Sequence, residues 1–149
     1  MICPNQRTDQ AVLEAIFDAV PIYPTDTLVD VGCGDGWVIQ HWLNMGLTND
    51  LIGIELDWET AYLAMIRFRK LSNISIIYDD ASRGLPKGTL FYLFNPFRGE
   101  PMIAFEKLAR QQSPRIIYNA THDLDIFQDW NIEPIQGAFR AALLTRKEP

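Results

Sequence analysis

The sequence predicts an α/β protein, a doubly wound and mostly parallel sheet with helices on both faces. Three observations carry that prediction. Short apolar runs alternate with longer stretches whose apolar residues recur at helical spacing, Pro and Gly fall singly between them, and a glycine-rich turn joins the first run to a helix. Such alternation demands right-handed crossovers, and these bury the sheet on both sides.

Taken in order, Thr8 is placed to cap a helix over Asp9 to Val20, where Val12, Ala15, Ile16 and Ala19 share one face and Pro21 stops the chain. Thr27 to Val31 reads as a buried strand that runs into Gly32-Cys33-Gly34-Asp35-Gly36, then into a helix over Trp37 to Met45 ended by Gly46. Leu51 to Glu55 is the second strand, and Trp58 to Leu71, with Ala61, Met65 and Phe68 along one side, is its crossover helix. Ile74 to Tyr78 is the third strand. A loop holding Gly84, Pro86 and Gly88 leads to the strongly apolar Leu90 to Phe94, a central strand that ends at Asn95-Pro96-Phe97. A helix from about Pro101 to Gln111 precedes strand Arg115 to Asn119, and Asp123 to Trp130 fits a short helix. Ile132 to Gln136 and Phe139 to Thr145, around Gly137, read as an antiparallel pair closing the sheet edge.

The chain's 149 residues suit one domain, 1–149, and 48% hydrophobic content with four Trp gives it a core to pack. With 13 Lys and Arg against 19 Asp and Glu, the net charge of −6 disfavours nucleic acid as a partner. The one basic cluster, Arg67, Arg69 and Lys70, reads as the solvated face of a helix. The longest apolar stretch, Ala11 to Tyr23, is broken by Glu14, Asp18 and Pro21, so no membrane span is expected. Met1 to Arg7 lacks the pattern of a secretory signal, and the expected location is cytoplasmic. Cys3 and Cys33 form neither a disulfide framework nor a zinc-ligand spacing, so both are expected reduced and no metal site is expected.

In open parallel sheets, ligands bind beyond the carboxyl ends of the strands, which directs attention to Asp30 to Gly36, Glu55, Asp79 to Ala81, Asn95 to Phe97 and Asn119 to His122. Gly32, Gly34 and Gly36 let the backbone turn sharply and approach a ligand, and the helix behind them offers free N–H groups that welcome an anionic group. Glu55, at the tip of the second strand, can accept hydrogen bonds from both hydroxyls of a ribose. Together they point to a nucleoside. A dinucleotide loop needs a third small residue where this chain has Trp37, which weakens a nicotinamide reading.

With Asp30-Val31-Gly32-Cys33-Gly34-Asp35-Gly36 the sequence resembles the class I S-adenosylmethionine-dependent methyltransferases, whose first motif sets an acid two residues before G-x-G-x-G. The resemblance extends through Glu55, Asp80 in Asp79-Asp80-Ala81, and Asn95-Pro96-Phe97, and spans roughly residues 8 to 145. It implies a seven-stranded sheet of order 3-2-1-4-5-7-6 with the last strand antiparallel. It also implies S-adenosylmethionine as cofactor, held by Asp30, Gly32, Cys33, Gly34, Gly36, Glu55, Leu56, Asp80, Ala81 and Asn95. In that family the glycine loop carries the methionine portion, the second-strand acid the ribose and the third-strand Asp the adenine. Acids around the crest suit a sulfonium and an ammonium and repel a pyrophosphate.

The same resemblance gives Asn95, Pro96 and Phe97 the catalytic positions, with Asn95 accepting hydrogen bonds from a substrate amine and the aromatic ring packing over it. The chain departs from Asn-Pro-Pro-Tyr or Asn-Pro-Pro-Phe by reading Asn-Pro-Phe-Arg, which moves the ring by one position. His122 is placed to act as a general base or to cap a turn, and His41 lies within a helix. Trp58, three residues past Glu55, is within reach of the cofactor, and Pro4 to Thr8 could form a flap over it. The expected activity is methyl transfer to an unidentified acceptor, a nitrogen of a protein or other macromolecule. The alternatives are a non-catalytic partner subunit of the same fold and, less favoured, an NAD-dependent oxidoreductase; a partner subunit or a second copy of the chain is the further partner considered.

Overall fold

The computed structural model describes residues 7 to 147. Strands β1 (Leu28–Val31), β2 (Leu51–Glu55), β3 (Ile74–Tyr78), β4 (Leu90–Phe94), β5 (Arg115–Asn119), β6 (Trp130–Pro134) and β7 (Ala141–Arg146) form one sheet in the order 3-2-1-4-5-7-6. β1 to β5 pair in parallel, and β7 runs antiparallel to both β5 and β6. β2, β3, β4 and β5 fall on the residues the hydrophobic pattern predicts, and the strand order and the reversed last strand are those the resemblance implies. β1 is buried along its whole length, as a strand covered on both faces must be, whereas edge strand β3 has no buried residue.

Alternate residues of the central strands feed two separate cores. Leu28, Leu90 and Tyr92 pack with α1 (Gln10–Ala19), α2 (Trp37–Asn44) and Phe68, which follows α3 (Trp58–Arg67). Val29, Val31, Phe91 and Leu93 pack on the other face with α4 (Glu100–Gln112) and a 3₁₀ turn over Leu124–Phe127. No helix among the described residues is long and apolar enough to cross a membrane.

The structure corrects the expected elements at three places. Asp9, not Thr8, caps α1, its carboxylate accepting from the Ala11 N–H at 3.0 Å, while Thr8 is buried with its hydroxyl hydrogen-bonded to that of Tyr92. α3 stops at Arg67 instead of running to Leu71, because Phe68 turns inward and the Leu71 N–H closes a tight turn on the Phe68 carbonyl. The helix expected over Asp123 to Trp130 shrinks to the 3₁₀ turn, and Trp130 instead begins β6.

That tryptophan explains the change. Its ring is fully buried, and its Nε1 donates to the Glu106 carboxylate of α4 at 2.9 Å, while Arg110 Nε donates to the same oxygen at 2.8 Å. Glu106 is itself 3% exposed, so one carboxylate ties α4 to the far edge of the sheet. Glu106→Ala leaves the indole N–H buried without an acceptor and is expected to cost about 2–3 kcal/mol of stability, read from urea unfolding.

Candidate functional site

Where β1 ends, the chain makes a turn held by its own backbone. The N–H groups of Gly32 and Cys33 donate to the Ile54 carbonyl at 2.8 and 3.0 Å, that of Gly34 to Glu55 Oε1 at 2.9 Å, and that of Gly36 to the Cys33 carbonyl at 3.1 Å. Gly36 caps α2 at φ +101°, and a Cβ there would run into the Phe68 ring, so both the backbone angle and the packing require glycine. The sequence places free N–H groups for an anion on the helix behind the glycines. In the turn itself four N–H groups are spent, three on β2 and one on the Cys33 carbonyl, and the prominent charges of the cleft wall are carboxylates.

Asp30 is the deepest of those acids. It is 2% exposed, its Oδ2 has no hydrogen-bond partner among the described residues, and desolvation together with nearby Glu55 pushes its pKa up to about 8. Cys33 supplies the loop backbone while its side chain turns into the core beside Gly53; burial and the charges of Asp30 and Glu55 hold its thiol protonated. Glu55 sits at the tip of β2 with one oxygen on the Gly34 N–H and the other on the Asp57 N–H at 2.8 Å. Each oxygen keeps a further lone pair for a ligand hydroxyl. Asp80 accepts from the Ser82 N–H and hydroxyl through Oδ1, at 2.9 and 2.6 Å, and Asp79 accepts from the Asp80 N–H at 2.7 Å.

After β4, Asn95 takes φ +48° and presents a buried side-chain oxygen with no partner among the described residues. Pro96 packs against Gly32, its Cβ 3.2 Å from where a Cβ on that glycine would stand, so the loops after β1 and β4 touch. The Phe97 ring is 7% exposed and packs on Phe105 at 5.8 Å between centroids, which makes it chiefly a core residue with an edge on the cleft.

These residues line two adjoining cavities. One, about 540 Å³, is bounded by Glu55, Leu56, Asp80, Ala81, Asn95, Pro96 and Phe97. The other, about 430 Å³, is bounded by Asp30, Cys33, Gly34, Asp35, Trp37 and Tyr92, with Arg7 and Thr8 on its rim. Val31, Gly32, Thr60 and Phe94 belong to both, so the glycine turn divides a single bipartite cleft. Gly36 lines neither cavity and acts from behind, through the turn.

Several wall residues escape a reading of the sequence. Tyr92 stands beside Asp30 in strand register, and its hydroxyl is bonded to Thr8 and to Asn119 Nδ2, the latter at 3.1 Å. Arg7 pairs with Asp35 at 2.7 Å and lies over the Trp37 ring, whose Nε1 donates to the Thr8 carbonyl at 2.8 Å. Only the D-x-x-T spacing of Asp57 and Thr60, a helix cap, carries a local signal. Cys3 and Pro4 to Gln6 of the expected flap lie outside the described residues.

Other candidates stand elsewhere. His122 is exposed and lines neither cavity. His41 is buried in α2 beside Gln10, where desolvation lowers its pKa. Trp58 packs on Tyr62 and Tyr78 outside the cleft. Among the described residues no group of His, Cys, Asp and Glu is arranged to hold a metal ion.

No protein-family model and no curated relative matches the sequence. Solved structures do. The pyocyanin biosynthetic protein PhzM superposes at TM-score 0.71 with 12% identity, over 92% of this chain and 54% of its own. The present chain thus spans about half the length of PhzM. A TehB-like SAM-dependent methyltransferase from Corynebacterium glutamicum superposes at 0.66 with 15% identity, over 92% and 88%. A SAM-dependent methyltransferase from Thiobacillus denitrificans, in complex with S-adenosyl-L-homocysteine, does so at 0.59 with 17% identity, over 74% and 48%. Strand order, the reversed seventh strand and these likenesses agree: the chain has the fold of the class I S-adenosylmethionine-dependent methyltransferases.

Proposed function

We propose that the bipartite cleft binds S-adenosylmethionine and that the protein transfers its methyl group to a nitrogen of a larger acceptor. The observation that carries the reading is Asp30, a buried carboxyl group with one oxygen that has no partner among the described residues, in a cavity walled by further acids. Such a group is costly unless a positive ligand completes it. The same charges repel a pyrophosphate, which disfavours NAD.

The residues fit the cofactor in two halves. Asp30 and the turn at Gly32 and Gly34 would hold the cationic methionine end, with Arg7 on the rim for its carboxylate. Glu55 would hold the ribose hydroxyls, and Asp80, with Leu56 and Ala81, the adenine. When bound, S-adenosylmethionine supplies a methyl carbon made electrophilic by the attached sulfonium. What the chain contributes is alignment, since holding the nucleophile in line can supply most of the acceleration. Asn95 accepts the acceptor's N–H through its free side-chain oxygen, and Phe94, on the wall common to both cavities, excludes water there.

Calorimetric titration with S-adenosylmethionine, S-adenosylhomocysteine and NAD tests the binding half: saturable binding of the first two is expected, and binding of NAD alone overturns it. A labelled-methyl screen over proteins, nucleic acids and small amines tests transfer. Tight cofactor binding without any labelled product would favour a non-catalytic partner subunit.

A further inference from the structure

Of the twelve large apolar side chains exposed among the described residues, seven fall between Leu56 and Tyr78, the stretch that holds α3 and the edge strand β3. Those on α3 divide between its faces. Ala61 and Ala64 face the sheet, and Thr60, Leu63 and Arg67 face the cleft side, where Arg67 donates to the Asp35 carbonyl. Ile66 is exposed, and the stripe Trp58, Tyr62 and Met65 recurs at i, i+4 and i+7 and overlooks the outer edge of β3, with Arg69 in the turn just past the helix. Trp58 fixes the direction of that stripe, because its ring packs edge-on against Tyr78 at 5.2 Å.

The two edges of the sheet differ. β6 ends in Glu133 and Pro134, the devices by which proteins blunt an edge against further pairing. β3 reads Ile-Ser-Ile-Ile-Tyr, with no charge, proline or glycine, and among the described residues it pairs only with β2. The chain entering β3 carries Arg69 and Lys70, and the chain leaving it carries Asp79 and Asp80. One end of the edge is therefore basic and the other acidic.

From these features we infer that β3 and the Trp58–Tyr62–Met65 stripe form a two-fold interface with a second copy of this chain, the β3 strands pairing antiparallel about Ile76. This goes beyond the reading of the cleft and does not depend on it. Antiparallel pairing of two identical strands sets the basic end of each beside the acidic end of the other, so the charges are complementary by symmetry. A two-fold axis perpendicular to the sheet keeps both α3 helices on one face, where the aromatic stripes meet and Arg69 of each chain reaches the Trp58 end of its partner. A second copy satisfies strand edge, apolar stripe and charge pattern at once.

Sedimentation equilibrium across micromolar to millimolar concentrations, with hydrogen exchange at both extremes, tests the interface. The expected result is a reversible dimer in which β3 amides gain protection with concentration and β6 amides do not. Tyr62→Glu and Arg69→Glu, both at exposed positions, should each raise the dimer Kd at least roughly tenfold while circular dichroism and melting stay those of the parent. A monomer throughout, or a dimer indifferent to both substitutions with unchanged β3 exchange, overturns the inference.

Discussion

Asp30→Asn is expected to produce a protein that is more stable without ligand above pH 8 and that has lost most of its affinity for S-adenosylmethionine. The two effects share one cause. In the native state Asp30 titrates near 8, far above its ordinary value of 3.8, so the folded chain holds a proton there that the unfolded chain releases. Stability from this site is therefore fully present below the ordinary value, falls as the pH rises through the interval, and levels off above about 8. The amide keeps the shape and abolishes that slope, which corresponds to a gain of roughly a few kcal/mol at pH 9 in urea unfolding. For binding the sign reverses. A cationic ligand beside Asp30 favours the carboxylate, so at pH 7 the parent should release close to one proton per cofactor bound, and its affinity should increase towards pH 8. Calorimetry in buffers of different ionisation enthalpy reads that proton directly. The Asp30→Asn protein should release none and bind at least roughly thirtyfold more weakly. Equal affinity in both proteins, with no proton released by either, would remove Asp30 from the site.

The parts legible in the sequence are those fixed by local chemistry. β2, β4 and β5 are readable to the residue because buried parallel strands are largely apolar runs stopped by polar or proline residues, and edge strand β3, though only partly buried, keeps the β-branched and aromatic residues of a strand. The glycine turn is readable because its bends need residues without a Cβ, as Gly36 shows at φ +101°. What cannot be read depends on contacts far apart in the chain. The apolar period of α3 continues to Leu71, but Phe68 must swing into the space over Gly36, and that contact ends the helix early. Tyr92 faces Asp30 only through the register of β1 on β4, which no local pattern encodes. Nor does any local pattern show that the N–H groups of Gly32, Cys33 and Gly34 are taken by Ile54 and Glu55 of the neighbouring strand. Phe97 looks like a substrate-facing ring, but the pull of Phe105 and the core beneath the sheet takes most of it.

Asn95 offers the sharpest separation of backbone from chemistry. At φ +48° it occupies the left-handed region, which asparagine tolerates better than other residues with a Cβ, and its buried side-chain oxygen has no partner among the described residues. Asn95→Ala removes the oxygen and adds backbone strain, so it should cost about 1 kcal/mol of stability. Asn95→Gly removes the same oxygen without that strain and should melt close to the parent. If the oxygen positions the acceptor, both substitutions should hold the Kd for S-adenosylmethionine within about threefold and lower kcat by roughly 10²–10³, because the missing bond aligns the nucleophile and does not seat the cofactor. If instead the residue serves only to turn the chain after β4, Asn95→Gly should keep its turnover and its melting, while Asn95→Ala melts lower. Comparing kcat, Kd and melting across the two substitutions therefore decides between an acceptor-aligning side chain and a merely permissive turn, and a fully active Asn95→Gly protein would move the search for the aligning group to the other wall residues.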